Sequence, residues 1–327
     1  MIRHSILAFA LLAAAHSHAS FDLMLIGNNS GGDYRVSRWD PINRVSLGSF
    51  GSGIITAPVE DVAVVPGSDT AWVISNGAIY KFSYSTGEFQ GASGQMYSTV
   101  ASNISYDSGG NFFTVGSGQG SGLIGQTVFT QNLTLGPVFF GATYSASAPM
   151  RRSGSSNYYA FTLEGVSPYN LSISTWNSSG TFLTVASTGI AWTNSPYGNG
   201  FHDAAFSGTK LYGVQWDSVT NNTKLWSSET SSGFGATPVV VTSLHGSNPG
   251  NVRRSMSAGH NGMLWVRTGN IYSSYLPGLG SGPSYTMNAL GTPSELTGMA
   301  VVVAPEPASL FALSAALVGL LKRRKSK

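Results

Sequence analysis

A short strand-like motif returns along the chain at nearly even intervals. Runs rich in aliphatic and aromatic residues begin at six places: Leu23, Ala71, Phe112, Tyr158, Leu211 and Leu264. Their starts are 48, 41, 46, 53 and 53 residues apart. Periods of this length are typical of proteins built from one repeated supersecondary unit, in which neighbouring units stack to bury a shared core.

Each unit has the pattern of a four-stranded sheet. The recurring run is followed by further β-rich runs, separated by turns of Gly, Asn and Ser. Most units are also preceded by a run with small residues at its centre, of which residues 61–65 are the clearest. No such run precedes Leu23, yet one is left over at residues 298–303. The C-terminus therefore offers the strand that the first unit lacks.

These patterns predict an all-β fold, a single β-propeller spanning residues 20–303. We expect six four-stranded blades closed by the C-terminal strand 298–303, because closure removes the exposed edges of an open sheet. Residues 38–41 and 81–88 resemble the blade ends of divergent propellers of the YVTN, NHL or kelch kind. A seventh unit between Gly189 and Gly200, a pair of β-sandwiches and a solenoid are the alternatives.

The last 24 residues, 304–327, form a separate segment of three parts. It opens with the helix-breaking motif Pro305, Glu306 and Pro307. Residues 308–321 carry no charge and predict a short transmembrane helix, anchored by Leu310, Phe311, Leu313, Leu317, Leu320 and Leu321. A basic cluster, which the positive-inside rule keeps in the cytoplasm, follows: Lys322, Arg323, Arg324 and Lys325. Fourteen helical residues span only about 21 Å of a hydrocarbon core of about 30 Å, which suits a temporary anchor.

This order of parts resembles the PEP-CTERM sorting signal of exported Gram-negative bacterial proteins. The resemblance implies that the inner membrane holds the protein until an exosortase-type enzyme cuts near Pro305–Pro307 and releases it to the cell surface or extracellular matrix. It also implies a role in exopolysaccharide and biofilm production. A buried C-terminal helix that happens to end in basic residues is the alternative.

The N-terminus also predicts export. Arg3 and His4 precede an apolar run, and Ser17-His18-Ala19 offers a signal-peptidase site, so residues 1–19 are predicted to be a cleaved signal peptide. The positive formal net charge of +3 arises from these two ends, which hold six of the 17 basic residues and one of the 14 acidic ones. Without them the body has 11 basic and 13 acidic residues, which gives no argument for nucleic-acid binding. The chain has no cysteine, which excludes disulfides and thiolate sites.

Several of the few charged residues of the body fall near the starts of the predicted innermost strands. Side chains there are expected to gather at one mouth of the propeller channel and to bind a polar ligand such as an extracellular polysaccharide. The candidates are Glu60, Asp61, Asn103, Arg151, Arg152, His202, Asp203, Arg253 and Arg254. The alternative is that they pair with one another and only solvate the rim.

Nothing in the body matches a complete catalytic, metal-binding or cofactor-binding motif. We therefore predict a non-enzymatic binding protein without metal or cofactor. The competing interpretation is a polysaccharide hydrolase or lyase that uses Glu60 and Asp61 with His202 and Asp203 at the mouth. A third is a structural component of the matrix with no defined ligand.

Overall fold

The computed structural model describes most of the predicted body. It covers residues 22–65, 67–93, 101–106, 111–117, 123–129, 134–141, 144–145, 149–164, 169–192, 201–217, 220, 222–246 and 254–303. The predicted signal peptide and the predicted sorting segment 304–327, with its transmembrane helix, lie outside these residues. Within them, no helix has the length and apolarity needed to cross a bilayer.

The described residues form six four-stranded antiparallel sheets. Sheet 1 contains β1 (Asp22–Asn28), β2 (Arg35–Asp40), β3 (Val45–Phe50) and the last strand of the chain, β24 (Leu296–Val303). Sheet 2 contains β4 (Val59–Val64), β5 (Ala71–Ser75), β6 (Ala78–Phe82) and β7 (Phe89–Ala92). Sheet 3 contains β8 (Ala101–Tyr106), β9 (Asn111–Ser117), β10 (Leu123–Phe129) and β11 (Thr134–Gly141).

The second half of the chain repeats this arrangement. Sheet 4 contains β12 (Tyr144–Ser145), β13 (Tyr158–Glu164), β14 (Tyr169–Trp176) and β15 (Phe182–Trp192). Sheet 5 contains β16 (Phe201–Ser207), β17 (Lys210–Asp217), β18 (Asn222–Glu229) and β19 (Val239–Gly246). Sheet 6 contains β20 (Arg254–Ala258), β21 (Leu264–Thr268), β22 (Ile271–Leu276) and β23 (Gly280–Thr286). Short 3₁₀ segments lie at Ser30–Gly32 and His260–Gly262.

The C-terminal strand completes the first sheet. Sheet 1 has the order β24-β1-β2-β3, so β24 fills the place that β4, β8, β12, β16 and β20 fill in the other sheets. It pairs antiparallel with β1, with Met24 opposite Val301 and Ile26 opposite Met299. The predicted return of the far end of the chain is confirmed.

The strands at this position, β24, β4, β8, β12, β16 and β20, are called the first strands of their sheets. First strands of neighbouring sheets contact one another, and these contacts arrange the sheets radially. β24 contacts β4 and β20, β4 also contacts β8, and β16 contacts β20. Small residues such as Ala63, Ala205 and Ala300 lie on these strands and let them approach closely. The protein is an all-β propeller, as predicted.

The hydrophobic core lies between the sheets. Leu25 and Ala300 of sheet 1 pack with Val73 of sheet 2, whereas Ile26 and Met299 lie in the cluster shared with sheet 6. Adjacent strand residues point to opposite faces, so one strand contributes to two cores. Burial on both faces explains why the recurring runs are continuously apolar rather than alternating.

Polar contacts also join the first and last sheets. The Asp22 carboxylate accepts hydrogen bonds from Trp265 Nε1 at 2.6 Å and from the His260 backbone N–H at 3.0 Å. The Tyr272 hydroxyl of sheet 6 donates to the carbonyl oxygen of Pro41, in the turn between β2 and β3 of sheet 1, at 2.9 Å. Asp22 is buried, so its charge is compensated by these donors rather than by water.

The first strand of sheet 4 differs from the prediction. Arg151 and Arg152 were expected at its start, but β12 pairs Tyr144 with Leu163, and Met150 then forms an isolated bridge with Tyr159. Both arginines therefore follow the innermost segment and lie on the turn toward β13. The error arose because this first strand is only two residues long and gives no periodic signal.

Candidate functional site

A cavity of about 330 Å³ lies where the first strands of the sheets converge. Every sheet contributes to its wall. Five sheets line it through their first strands, with Ala63, Ile104, Ala204, Met256 and Ala300. Sheet 4 contributes through Met150, which bridges to Tyr159 of β13. The wall is therefore mostly apolar, and a radial arrangement of sheets is what creates it.

The cavity reaches the ends of several first strands and the turns that follow them. Its lining includes Val64 and Ala258, the last residues of β4 and β20, and Ser153 and Gly208 from the turns that follow. Asp61, the third residue of β4, is not part of the lining. Of the predicted rim residues, Arg151, Arg152 and Asp203 line this cavity and Asp61 does not, so the cavity brings together only part of the predicted set.

Among the described residues of the lining, Arg151 and Arg152 are the cations. The Arg152 guanidinium donates from Nε to Thr230 Oγ1 at 3.3 Å, from Nη1 to the Ser153 carbonyl oxygen at 3.2 Å and from Nη2 to the Thr230 carbonyl oxygen at 3.5 Å. The Arg151 guanidinium carbon lies 5.3 Å from the centre of the Tyr158 ring. Both side chains are partly exposed, so they are oriented by the protein and still reachable from solvent.

Asp61 and Asp203 join neighbouring sheets by hydrogen bonds, which are called ties between sheets below. Asp61 Oδ2 accepts the backbone N–H of Ile104 in sheet 3 at 2.9 Å, and Asp203 Oδ2 accepts that of Met256 in sheet 6 at 2.8 Å. In each case Oδ1 accepts the N–H of the following residue, at 2.9 and 2.8 Å. A β-bulge precedes both residues. A bulge re-aims the side chain after it, here toward the next sheet.

The remaining predicted rim residues lie on different strands or outside the described residues. Glu60 is a partly buried residue of β4, while Asn103 and His202 lie on β8 and β16. Arg253 lies outside the described residues. Arg254 is buried and not at a mouth, a further correction to the prediction.

Arg254 lies between sheets 5 and 6. Its guanidinium carbon is 4.3 Å from the Trp216 ring, and its Nε donates to Thr223 Oγ1 at 3.4 Å. Burial lowers the pKa of Arg254 from its ordinary value to about 10. The side chain is therefore still charged at neutral pH, and the aromatic face contributes to stabilising that charge.

The sequence patterns did not reveal two serine residues that line the cavity. Ser153 and Ser257 line it, and Ser257 Oγ also accepts the Val301 backbone N–H at 2.9 Å. The available signal was the turn-forming run 153–157, directly after the two arginines and before the strand at Tyr158. A turn at that run implies that the two arginines follow the innermost segment of sheet 4 instead of preceding it.

We expect Asp61→Ala to lower the free energy of unfolding by about 1–3 kcal/mol, because the buried Ile104 N–H loses its acceptor. Asp61→Asn should cost less, since the amide oxygen still accepts one bond. Urea unfolding of both variants measures the difference, with the exposed Glu88→Ala as a matched control that should stay within about 0.5 kcal/mol. Unchanged stability of Asp61→Ala would show that the tie is unimportant.

No protein-family model matches the chain, and no curated protein sequence matches it either. Its fold resembles many solved structures. These include Kuenenia stuttgartiensis hydrazine synthase, at 15% identity and a TM-score of 0.55, with 89% of this chain and 88% of that chain covered. A chain of a nidogen/laminin complex matches at 13% identity and a TM-score of 0.61, over 86% of this chain and 99% of that chain.

A third similar structure is TolB from Acinetobacter baumannii, at 14% identity and a TM-score of 0.56. The alignment covers 88% of this chain and 67% of the TolB chain. At identities this low the likeness concerns the arrangement of strands and carries no information about ligands or activity. The comparisons thus agree with the strand topology: the chain has the β-propeller fold.

Proposed function

We propose that this chain is an exported propeller of six blades that binds a component of the extracellular polysaccharide matrix in its axial cavity. The blade count is supported by the six sheets, each with four strands in the same order. It is further supported by the contribution of all six to one cavity wall.

The observation that carries the binding function is the cavity itself. Its volume of about 330 Å³ is within the range of sites for small molecules, at the lower end. Its wall consists of strands that are hydrogen-bonded in sheets and packed on both faces, so it is formed before any ligand arrives. A preformed site of this kind loses little conformational entropy on binding.

Binding is favoured over hydrolysis because of what the carboxylates do. Glycoside cleavage normally needs two carboxyl groups facing one bond. Among the described residues that line the cavity, Asp203 is the only acid, and both its oxygens accept backbone N–H bonds. Asp61 has the same arrangement on another strand. Both carboxylates therefore serve the ties between sheets.

The two chain ends carry the cellular part of the proposal. The signal peptide 1–19 directs export, and the segment 304–327 holds the protein in the inner membrane until an exosortase-type enzyme releases it. The strand β24 ends at Val303, directly before this segment, so cleavage near Pro305–Pro307 would leave the closed sheet intact. Intact-mass analysis of the protein from culture medium and from membranes tests the proposal. A released form that retains Lys322 to Lys327 would contradict it.

We expect Ser153→Trp to abolish ligand binding while leaving the melting temperature nearly unchanged. Ser153 is exposed and lines the cavity, so an indole there would obstruct its mouth without entering the core. Ser156→Trp is the matched control, because Ser156 is exposed on the same turn but does not line the cavity. Binding is measured by calorimetry with oligosaccharides from the producing cell's own exopolysaccharide. Equal affinity of both variants would place the ligand elsewhere.

A further inference from the structure

We propose that the cavity recognises a carboxylate-bearing sugar, with Arg152 as the principal contact and Arg151 beside it. This inference rests on the proposed binding function and deepens it by naming the chemical class of the ligand.

The first argument is the state of the Arg152 guanidinium. Its hydrogen bonds go to a hydroxyl and two carbonyl oxygens, all of them neutral. These bonds occupy three of the five N–H groups of the side chain, which leaves two donors. They also fix its orientation, because Thr230 directly follows β18 of sheet 5 and Ser153 lies on the turn before β13 of sheet 4. Among the described residues no carboxylate hydrogen-bonds to Arg152, which is thus a preoriented cation.

The second argument is the charge balance of the cavity. Among the described residues, its lining carries two guanidinium groups and one carboxylate, which gives this part of the wall a net positive charge. The Asp203 carboxylate already accepts two backbone N–H bonds, so its negative charge is directed into the first strands. Much of the remaining wall is apolar, and a charge pair formed beside such a wall is screened less than one in bulk water.

The third argument concerns the type of anion and how much of it enters. A planar carboxylate matches the fork of an arginine guanidinium and can accept two parallel N–H bonds. A volume of about 330 Å³ is small for a ligand site, so the cavity suits the terminal residue of a chain rather than an internal stretch. Together these features point to an acidic sugar at a chain end.

The test is calorimetric titration of the mature body with two trisaccharides of equal size. Trimannuronate carries carboxylates, whereas mannotriose has the same ring skeleton without them. We expect trimannuronate to bind at least tenfold more tightly at low ionic strength, and this preference to shrink as salt is added. Arg152→Gln should remove the preference, and Arg152→Lys should restore it in part because it keeps the charge but not the fork.

Arg44→Gln is the matched control. It removes the same charge from an exposed turn outside the cavity, where Arg44 lies over the Tyr285 ring. Its binding of trimannuronate should equal that of the unaltered protein. The comparison of the two sugars and its salt dependence need no variant, so they test the proposal even if Arg152→Gln does not fold.

The outcomes separate the two proposals. If both trisaccharides bind equally and Ser153→Trp blocks both, the cavity is a binding site but the acidic-sugar inference is wrong. If neither trisaccharide nor the native oligosaccharides bind, the proposed function itself is wrong. If Arg44→Gln weakens binding as much as Arg152→Gln does, the effect is one of net charge, and the assignment to Arg152 is overturned.

Discussion

We expect a chain of residues 20–295 not to fold, whereas a chain of residues 20–303 should be as stable as one that also carries residues 304–327. The two shortened chains differ only by β24. Without this strand, sheet 1 loses its innermost member and the ring of first strands is open between β20 and β4.

The expected loss is comparable with the whole stability of a domain. Leu296, Met299, Val301 and Val302 of β24 are buried to 93% or more. At roughly 1.5–3 kcal/mol for each buried aliphatic side chain, their burial contributes on the order of 10 kcal/mol. Native domains are stable by only about 5–15 kcal/mol. The backbone groups of β1 that pair with β24 would lose their partners as well.

Circular dichroism and thermal unfolding of the purified chains measure this prediction. The chain ending at Val303 is its control, because it lacks the sorting segment but keeps the closing strand. A cooperative transition in the chain ending at Glu295, at a similar temperature, would show that the ring does not depend on its C-terminal strand.

The second large effect is expected for Gly298→Ala. A Cβ atom at this position would lie 1.8 Å from Asp61 Oδ1 and 2.3 Å from the Asp61 Cα. Because one of these atoms belongs to the backbone, β24 and β4 must move apart, and Asp61 must leave its bond with Ile104. We expect a loss of about 3 kcal/mol or more in the free energy of unfolding.

Gly282→Ala is the matched control for that variant. Its Cβ would meet the Ser274 hydroxyl at 2.6 Å, on the outer strands of sheet 6, and this hydroxyl can rotate away. We expect a change below about 1 kcal/mol. Chemical denaturation of the three proteins gives the comparison. Equal stability of the two variants would mean that the inner strands tolerate displacement as easily as the outer ones do.

The sequence repeat predicted much of the fold because each repeated run reflects the burial of its own strand. A strand that is buried on both faces is mostly apolar, so the apolar residues 71–74 and 264–266 stand out against the polar turns. The leftover strand at the C-terminus was recognised by counting strands in each unit. The first strand of sheet 4 was not recognised in this way, because two residues are too few to show a period.

The candidate site was harder to predict because it depends on which end of each first strand a residue occupies. Asp61 and Asp203 were interpreted as ligand-binding residues because they are charges in a chain with few of them. Their role depends instead on the distance to a backbone N–H about 40 to 50 residues further along the chain, and no local pattern encodes that distance. Arg254 was misplaced for a similar reason, since its partners Thr223 and Trp216 belong to the preceding sheet.

The sequence by itself determined the all-β class, the repeating unit and the strand that closes the ring, because each follows from burial patterns and strand counts within one unit. Only the tertiary structure decided where the cavity lies, which polar residues line it and which charged side chains hydrogen-bond to a neighbouring sheet. Those properties arise where neighbouring sheets meet around the axis, and the contacts there join residues that are far apart in the chain.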